Sequence, residues 1–180
     1  ADTPFELHKV ENRFSETYTQ WLCNNLNDGD IVAIDGYNFS IDQVQKITQA
    51  LNKNGITVKA NVDFISQIWE DDRPPLPKDP VFIHDSEYLD VNINEKLAQL
   101  KANTQADYAL YSALDDIAWA LNLRGSDVDF NPVFIAYLLV GHETTLYIDQ
   151  SKLSTEVKAY LAKANVKTQE YSDIIKTLAK

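Results

Sequence analysis

The sequence predicts an α/β fold in which a mixed β-sheet is flanked by helices. Three observations support this prediction. Short apolar or β-branched runs alternate along the chain with segments of helical periodicity, the pattern of a sheet layered with helices. Turn signals such as Asp28-Gly29 and Asn54-Gly55 separate these segments. The chain has 180 residues and is 44% hydrophobic, which is enough for one core or two small ones.

The first 70 residues predict alternating strands and helices. A capping box formed by Ser40 and Gln43 marks the start of one helix, and Asp63 caps a later, short one. The predicted elements are, in order, an edge strand over 5–10, a helix over 15–26, a strand over 31–34, a helix through Leu51, a strand over 56–62 and a short helix over 64–69.

A proline-rich segment follows and predicts a domain boundary. Residues 71–80 hold four of the six prolines, with five charges among them, and neither a helix nor an interior strand tolerates this composition. We therefore predict a partial first α/β segment over 1–72, an exposed linker over 73–80 and a second α/β domain over 81–180.

In the second domain, the sequence predicts a short strand at 81–83 followed by helices and strands in the order αβαββαβα. Asn92 caps its first helix, and Gly141-His-Glu143 separates two apolar runs as a hairpin turn would. The runs over 133–140 and 144–149 are expected to pair antiparallel. The remaining predicted elements are a strand over 108–112, a helix around 153–161, a strand over 166–171 and a C-terminal helix carrying Ile174, Ile175 and Leu178.

A helix, a polar loop and a strand occupy residues 114–140, and we expect the functional site in this loop. Ser112 and Asp115 predict a capping box for the helix, and Gly125 is expected to end it with a positive φ angle. Pro132 bars a new helix before the strand. Loops fixed at both ends by packed elements often carry sites. The polar loop residues are Arg124, Ser126, Asp127, Asp129 and Asn131.

Arg124 allows two interpretations. Its planar guanidinium can donate to a carboxylate while Asp127 fixes its direction. Alternatively, it forms an ion pair with Asp127 or Asp129 that only orders the turn. Asn131, before Pro132, likewise allows either a role in a site or a purely structural role, since its side chain can hydrogen-bond the loop backbone.

Other residue patterns exclude several kinds of site. The three histidines are scattered without metal-ligand spacing, and no nucleotide-binding glycine motif or nucleophile elbow is present. The net charge of −11 argues against nucleic acid or an anionic membrane as a partner. Cys23 is expected to be a buried structural thiol, and Trp21, Trp69 and Trp119 are expected to pack in cores.

Two motifs resemble a known family. The run Asp115-Asp-Ile-Ala-Trp-Ala-Leu-Asn-Leu-Arg-Gly-Ser-Asp127, followed by Asn-Pro-Val-Phe and later by Glu143-Thr-Thr-Leu-Tyr-Ile-Asp149, resembles the middle domain of three-domain Xaa-Pro aminopeptidases. The segment Ile68-Trp-Glu-Asp-Asp-Arg-Pro-Pro-Leu-Pro77 is similar to the end of their first domain. The order and approximate spacing of the motifs agree with that family, so the resemblance covers most of the chain.

This resemblance implies a creatinase/prolidase-like N-terminal fold and a parent hydrolase that removes a residue preceding proline. It also implies two divalent metals, usually manganese, held in a C-terminal catalytic domain. The chain lacks an initiator methionine and is interpreted as a non-catalytic, inactive fragment of a cytoplasmic enzyme, without a metal or catalytic residue of its own. By position, Arg124, Asp127, Phe130 and Asn131 are expected to line the substrate cleft.

The implied partners are the parent's own catalytic domain, other copies of the parent in a homo-oligomer, and peptides with proline at the second position. A protein-binding module of a catalytically silent relative is the alternative interpretation, for which the acidic charge would suit a basic partner. The two interpretations differ in whether five metal ligands follow downstream in the reading frame.

Overall fold

A computed structural model describes Pro4, residues 6–8 and residues 17–179. The chain divides into two compact units, Ala1–Pro74 and Pro75–Lys180, and the division falls within the predicted linker. Residues 75–80 have no regular secondary structure. In the part of the chain that the structure describes, no helix is long and apolar enough to cross a lipid bilayer.

The first unit is a small α/β layer around a two-stranded parallel sheet. The predicted capping box at Ser40 and Gln43 is confirmed, and a second one formed by Thr17 and Gln20 opens the first helix. The elements are α1 (Tyr18–Asn25), β1 (Ile31–Ala33), α2 (Ile41–Asn52), β2 (Thr57–Lys59) and α3 (Ile65–Ile68).

The core of this unit is small. Among the described residues of this unit, Ile47, Leu51 and Ile56 form a buried cluster, with partly buried side chains around them. Cys23 packs against this core but is only half-buried, so the predicted burial of this structural thiol is partial. The predicted helix at 15–26 begins at Tyr18 among the described residues, and the predicted edge strand at 5–10 lies largely outside them.

The second unit contains a four-stranded mixed sheet, which confirms the predicted fold class. Its strand order is β4-β6-β7-β8, antiparallel except for the last, parallel pair. A separate antiparallel pair joins β3 to β5. The elements are β3 (Phe82–Ile83), α4 (Ile93–Asn103), β4 (Tyr108–Tyr111), α5 (Leu114–Leu121), β5 (Leu123–Arg124), β6 (Tyr137–Gly141), β7 (Thr144–Tyr147), α6 (Thr155–Lys163), β8 (Val166–Gln169) and α7 (Asp173–Leu178).

The two faces of this sheet bury alternate residues, as a strand's twofold periodicity requires. Leu138, Val140 and Leu146 belong to the main core, to which α4, α5 and α6 contribute. Leu139 and Tyr147 point to the other face, where Ile174 of α7 packs. The predicted hairpin is confirmed: Val140 pairs with Thr144, and Gly141-His-Glu143 forms the turn between them.

Three local predictions around α5 are wrong. Ala113, not Ser112, is the N-cap, and no side chain caps the helix there. The helix ends at Asn122 in the left-handed region (φ 51°), and Gly125 does not have a positive φ. Gly125 is instead required for close packing, since a Cβ there would lie 2.8 Å from the Cβ of Phe134. A larger residue would push these two segments apart.

The strand predicted over 133–140 begins only at Tyr137. Its first residues are buried but irregular, because their amide groups already have partners outside a sheet. The N–H of Val133 donates to the carbonyl of Asn131 (2.8 Å), and the N–H of Ile135 donates to Asp127 Oδ2 (2.6 Å). The apolar pattern therefore predicted burial correctly and extended structure incorrectly.

The three tryptophans do not pack as predicted. Trp21, Trp69 and Trp119 are each between 43% and 46% exposed, so none of the three rings fills a core. Trp119 has a specific contact, because the ammonium group of Lys96 lies 4.5 Å from the centroid of its ring. Such a cation–π contact stabilises both groups.

Candidate functional site

The polar loop between β5 and β6 forms a narrow ribbon, residues 125–135, with a tight turn at its tip. A β-bridge pairs Val128 with Asn131, and the N–H of Asn131 donates to the carbonyl of Val128 (3.1 Å). Below the turn, the N–H of Asp127 donates to the carbonyl of Val133 (3.1 Å). The N–H of Gly125 donates to the carbonyl of Pro132 (3.3 Å). The ribbon thus has hydrogen bonds along its length.

A buried ion pair fixes the base of this ribbon. The carboxylate of Asp127 accepts a hydrogen bond from the ammonium group of Lys152, and the two side chains are 0% and 1% exposed, respectively. The same carboxylate oxygen accepts from the N–H of Ile135. Within this chain the Asp127 carboxylate is enclosed and points to Lys152 and Ile135. Its role here is to hold the two sides of the ribbon together.

Arg124 does not form the ion pair with Asp127 or Asp129 that one interpretation of the sequence predicted. Its guanidinium Nη1 donates to the carbonyl of Ala118 (3.0 Å) and to that of Leu123 (2.8 Å). The prediction that Asp127 directs Arg124 is wrong, since Asp127 pairs with Lys152. Arg124 is half-buried and binds the carbonyl of Ala118 in the last turn of α5, where a positive charge also complements the helix dipole.

Lys96 extends from α4 to the same end of α5. This residue was not identified from the sequence. Its buried ammonium group donates to the carbonyl of Trp119 (2.9 Å) and to Oδ1 of Asn122 (2.5 Å). Burial, and secondarily the charge of Arg124, lowers the pKa of Lys96. Asn122 in turn donates from Nδ2 to the carbonyl of Val91 (3.2 Å). Lysine at an apolar helix position was the sequence signal that could have indicated this network.

Two predicted site residues are exposed at the tip of the ribbon. Phe130 has a relative exposure of 108%, and Asn131 is also exposed. Together with Val128, which is 40% exposed, Phe130 gives the tip an apolar surface. The structure therefore separates the four predicted residues into two exposed residues at the tip and two that fix the base or its neighbouring helix.

A cleft of the second unit lies away from this ribbon. It has a volume of about 530 Å³, and its walls come from the end of β3, the start of α4 and α6. None of the four predicted residues lines it. Within residues 17–179 and the few described before them, no three His, Cys, Asp or Glu side chains converge as metal ligands would.

Comparisons with known proteins agree with the predicted resemblance. Residues 72–180 match the creatinase/prolidase N-terminal domain family. The chain is 36% identical to aminopeptidase P2 of Arabidopsis thaliana over 94% of its own length and 25% of the relative. It is also 36% identical to a probable Xaa-Pro aminopeptidase P of Neurospora crassa, over 97% and 26%. The chain thus spans about a quarter of the curated relatives' length.

A solved structure is similar over nearly the whole chain. The X-prolyl aminopeptidase of Caenorhabditis elegans, described as a cytosolic enzyme with a di-nuclear active site, superimposes with a TM-score of 0.81 at 28% identity. The similarity covers 93% of this chain and 28% of that protein. The resemblance to Xaa-Pro aminopeptidases is confirmed. The chain belongs to the creatinase/prolidase N-terminal domain family.

Proposed function

We propose that this chain is the non-catalytic N-terminal portion of a metal-dependent Xaa-Pro aminopeptidase, which removes an N-terminal residue preceding proline. The names of its relatives and the similarity to the C. elegans enzyme support this proposal. Since the chain spans about a quarter of those proteins, the hydrolytic reaction belongs to the rest of the enzyme. On its own, the chain is expected to be inactive.

The chemistry of the proposed enzyme needs two divalent metal ions, for which we propose manganese. The described residues do not fit such a centre, because they bring no group of ligands together. We assign the metals to the catalytic portion outside this chain. The remaining parts of the proposal are a cytoplasmic location, like that of the C. elegans enzyme, homo-oligomer contacts and peptide substrates with proline at the second position.

The observation that carries the proposal for this domain is the ribbon 125–135, which holds polar and apolar groups outward on a fixed base. We propose that the ribbon walls the substrate cleft. Asn131 is exposed and offers an amide that both donates and accepts, which suits a peptide backbone. Asp127 acts by holding the ribbon through Lys152. Arg124 stabilises the adjoining end of α5.

The enzymatic part of the proposal is tested by comparing the full-length protein with residues 1–180 alone. The full-length protein is expected to hydrolyse a fluorogenic Xaa-Pro peptide, to lose activity with a chelator and to regain it with Mn²⁺. Residues 1–180 are expected to show no turnover under the same conditions. Failure of the metal-loaded full-length protein to cleave the peptide would leave the protein-binding module as the better interpretation.

The role of the ribbon is tested by Asn131→Ala in the full-length enzyme. Losing one hydrogen bond to the peptide costs about 0.5–1.5 kcal/mol, which is roughly a twofold to tenfold fall in kcat/KM. His142→Ala is the matched control, because His142 lies in the exposed loop of the other hairpin of the same unit. Equal kcat/KM for both variants and the wild type would remove Asn131 from the cleft.

Arg124→Ala separates the two roles considered for that residue. If Arg124 only caps α5, the variant lowers the melting temperature while kcat/KM of the folded enzyme stays constant, since the lost bonds are to backbone carbonyls. A fall in kcat/KM of more than tenfold without loss of stability would show that the remaining guanidinium donors contact the substrate.

A further inference from the structure

The tip of the ribbon exposes a large apolar side chain that contributes nothing to the described core. Phe130 is fully exposed, and its neighbours Val128 and Pro132 are also exposed. Aromatic side chains of this size dominate the energetics of cores and interfaces when they are buried. Phe130 therefore gains no burial free energy as long as nothing covers it.

The backbone of Phe130 is also unfavourable. Its φ angle is +61°, at the third position of a turn closed by the hydrogen bond from Asn131 to Val128. Asp129, at the second position, has a negative φ, so the geometry corresponds to a type II turn, which favours Gly or Asn at the third position. A bulky residue with a left-handed backbone is an outlier in proteins. Sequence and conformation disagree at this residue.

The base of the ribbon explains how this conformation persists. The hydrogen bonds between the two sides and the Asp127–Lys152 ion pair fix the segments on both sides of the turn. Strained residues persist when the surrounding structure determines their conformation, and they concentrate at functional sites. The backbone of Phe130 is thus fixed in a conformation that leaves its ring exposed at the tip.

We propose that Phe130 is an anchor residue that docks this domain onto the catalytic portion of the same enzyme. Its ring fills an apolar pocket at the rim of the substrate cleft. This inference rests on the proposed function and names the partner of its ribbon. Asp129, next to Phe130, has an exposed carboxylate. This predicts that hydrogen-bond donor groups border the pocket that receives the ring. Phe130 is then a positioning residue, which fixes the ribbon relative to the catalytic portion.

Two sizes favour a partner within the same polypeptide: the length of the relatives and the area that a separate partner would need. About three quarters of each relative's length lies outside the region that this chain matches, so the catalytic portion is covalently joined to this domain. A tether raises the effective concentration of the partner to the millimolar range. One aromatic anchor is then sufficient, whereas a separate protein partner needs about 800 Å² of surface on each side.

The test is the attachment of this domain in the full-length enzyme carrying Phe130→Asn, which suits the turn and removes the ring. Loss of an aromatic anchor is expected to increase proteolytic release of the N-terminal portion by about tenfold or more, and to raise hydrogen exchange across residues 125–135. Phe130→Tyr keeps the ring and is expected to restore attachment. Tyr88→Asn, which removes another exposed aromatic ring of this unit, is the control and is expected to change neither reading.

The outcomes distinguish this inference from the proposed function. Unchanged release and exchange in Phe130→Asn would overturn the docking role, even in an enzyme that cleaves Xaa-Pro peptides normally. Unchanged attachment with an altered preference among Xaa-Pro peptides would also overturn it, because the ring would then contact the substrate. Loosened attachment would support the docking role, and it is measured without turnover, so absent hydrolysis would count only against the proposed function.

Discussion

The base and the tip of the ribbon 125–135 are built in opposite ways. At the base, Asp127 and Lys152 are enclosed and form an ion pair with an additional backbone hydrogen bond. At the tip, Phe130 is fully exposed and has a left-handed backbone. The base contributes stability to this domain, whereas the tip reduces it. The difference shows that the domain keeps a large exposed aromatic residue with an unfavourable backbone at the tip, which the proposed docking role explains.

The largest effect is expected from breaking the base. Lys152→Met leaves the Asp127 carboxylate buried without a counter-charge, which costs about 3–5 kcal/mol of unfolding free energy. Lys167→Met is the matched control, because the Lys167–Glu143 pair is 59% and 63% exposed, and exposed pairs contribute less than about 1 kcal/mol. Urea denaturation of residues 1–180 measures both. Equal losses would mean that the buried pair does not stabilise the base.

An intermediate effect is expected at Asn122, which caps α5 and accepts from Lys96. Asn122→Ala places a Cβ in the left-handed region without a polar group and removes an acceptor from a buried ammonium group, at a combined cost of about 2–4 kcal/mol. Asn122→Gly removes the same hydrogen bonds without the backbone strain. It should be more stable than Asn122→Ala by roughly 1 kcal/mol in urea denaturation. The reverse order would exclude backbone strain as a component.

A smaller effect is expected at alkaline pH from the stacked rings of Tyr137 and Tyr171, whose centroids are 5.1 Å apart. Burial, followed by the hydrogen bond with Tyr137, raises the pKa of Tyr171 from 10.0 to about 12. The unfolded chain therefore releases this proton first, and the stability that the neutral phenol contributes is lost between pH 10 and about 12. Lys96 has the opposite sign, since its lowered pKa makes stability rise as the pH approaches 10.5.

Tyr171→Phe isolates the tyrosine contribution from that of Lys96. The difference in unfolding free energy between wild type and variant is expected to shrink as the pH rises from 10 to about 12. Urea denaturation at several pH values measures this difference. A difference that is independent of pH over this range would show that the phenol titrates alike in the folded and unfolded chains.

Local signals predicted much of the fold. The capping box at Ser40, the Asn92 cap and the hairpin turn at Gly141-His-Glu143 depend on residues close in sequence, and all three are present. β5 could not be predicted, because a two-residue strand is defined only by its pairing with β3, about 40 residues earlier. Apolar runs indicated burial better than they indicated secondary structure, as residues 133–136 show.

The candidate site was predicted as a loop but not as a set of contacts. Lys152 follows a polar turn and resembles an ordinary surface lysine, yet it pairs with Asp127, 25 residues away. Pairing over such a distance depends on how the sheet and loops pack, which no local pattern records. The left-handed backbone of Phe130 was equally hidden, because the residues that favour that conformation are Gly and Asn.

The melting temperature of residues 1–180 carrying Phe130→Asn, compared with Asp127→Asn and the wild type, tests the contrast between tip and base most directly. Asparagine adopts a left-handed backbone more easily, so Phe130→Asn should stabilise the chain by about 1 kcal/mol. That corresponds to a rise of roughly 2–4 °C. Asp127→Asn, which removes the charge that pairs with Lys152, should lower the melting temperature. A lower melting temperature for Phe130→Asn would show that Phe130 packs within its own fold and would contradict this account.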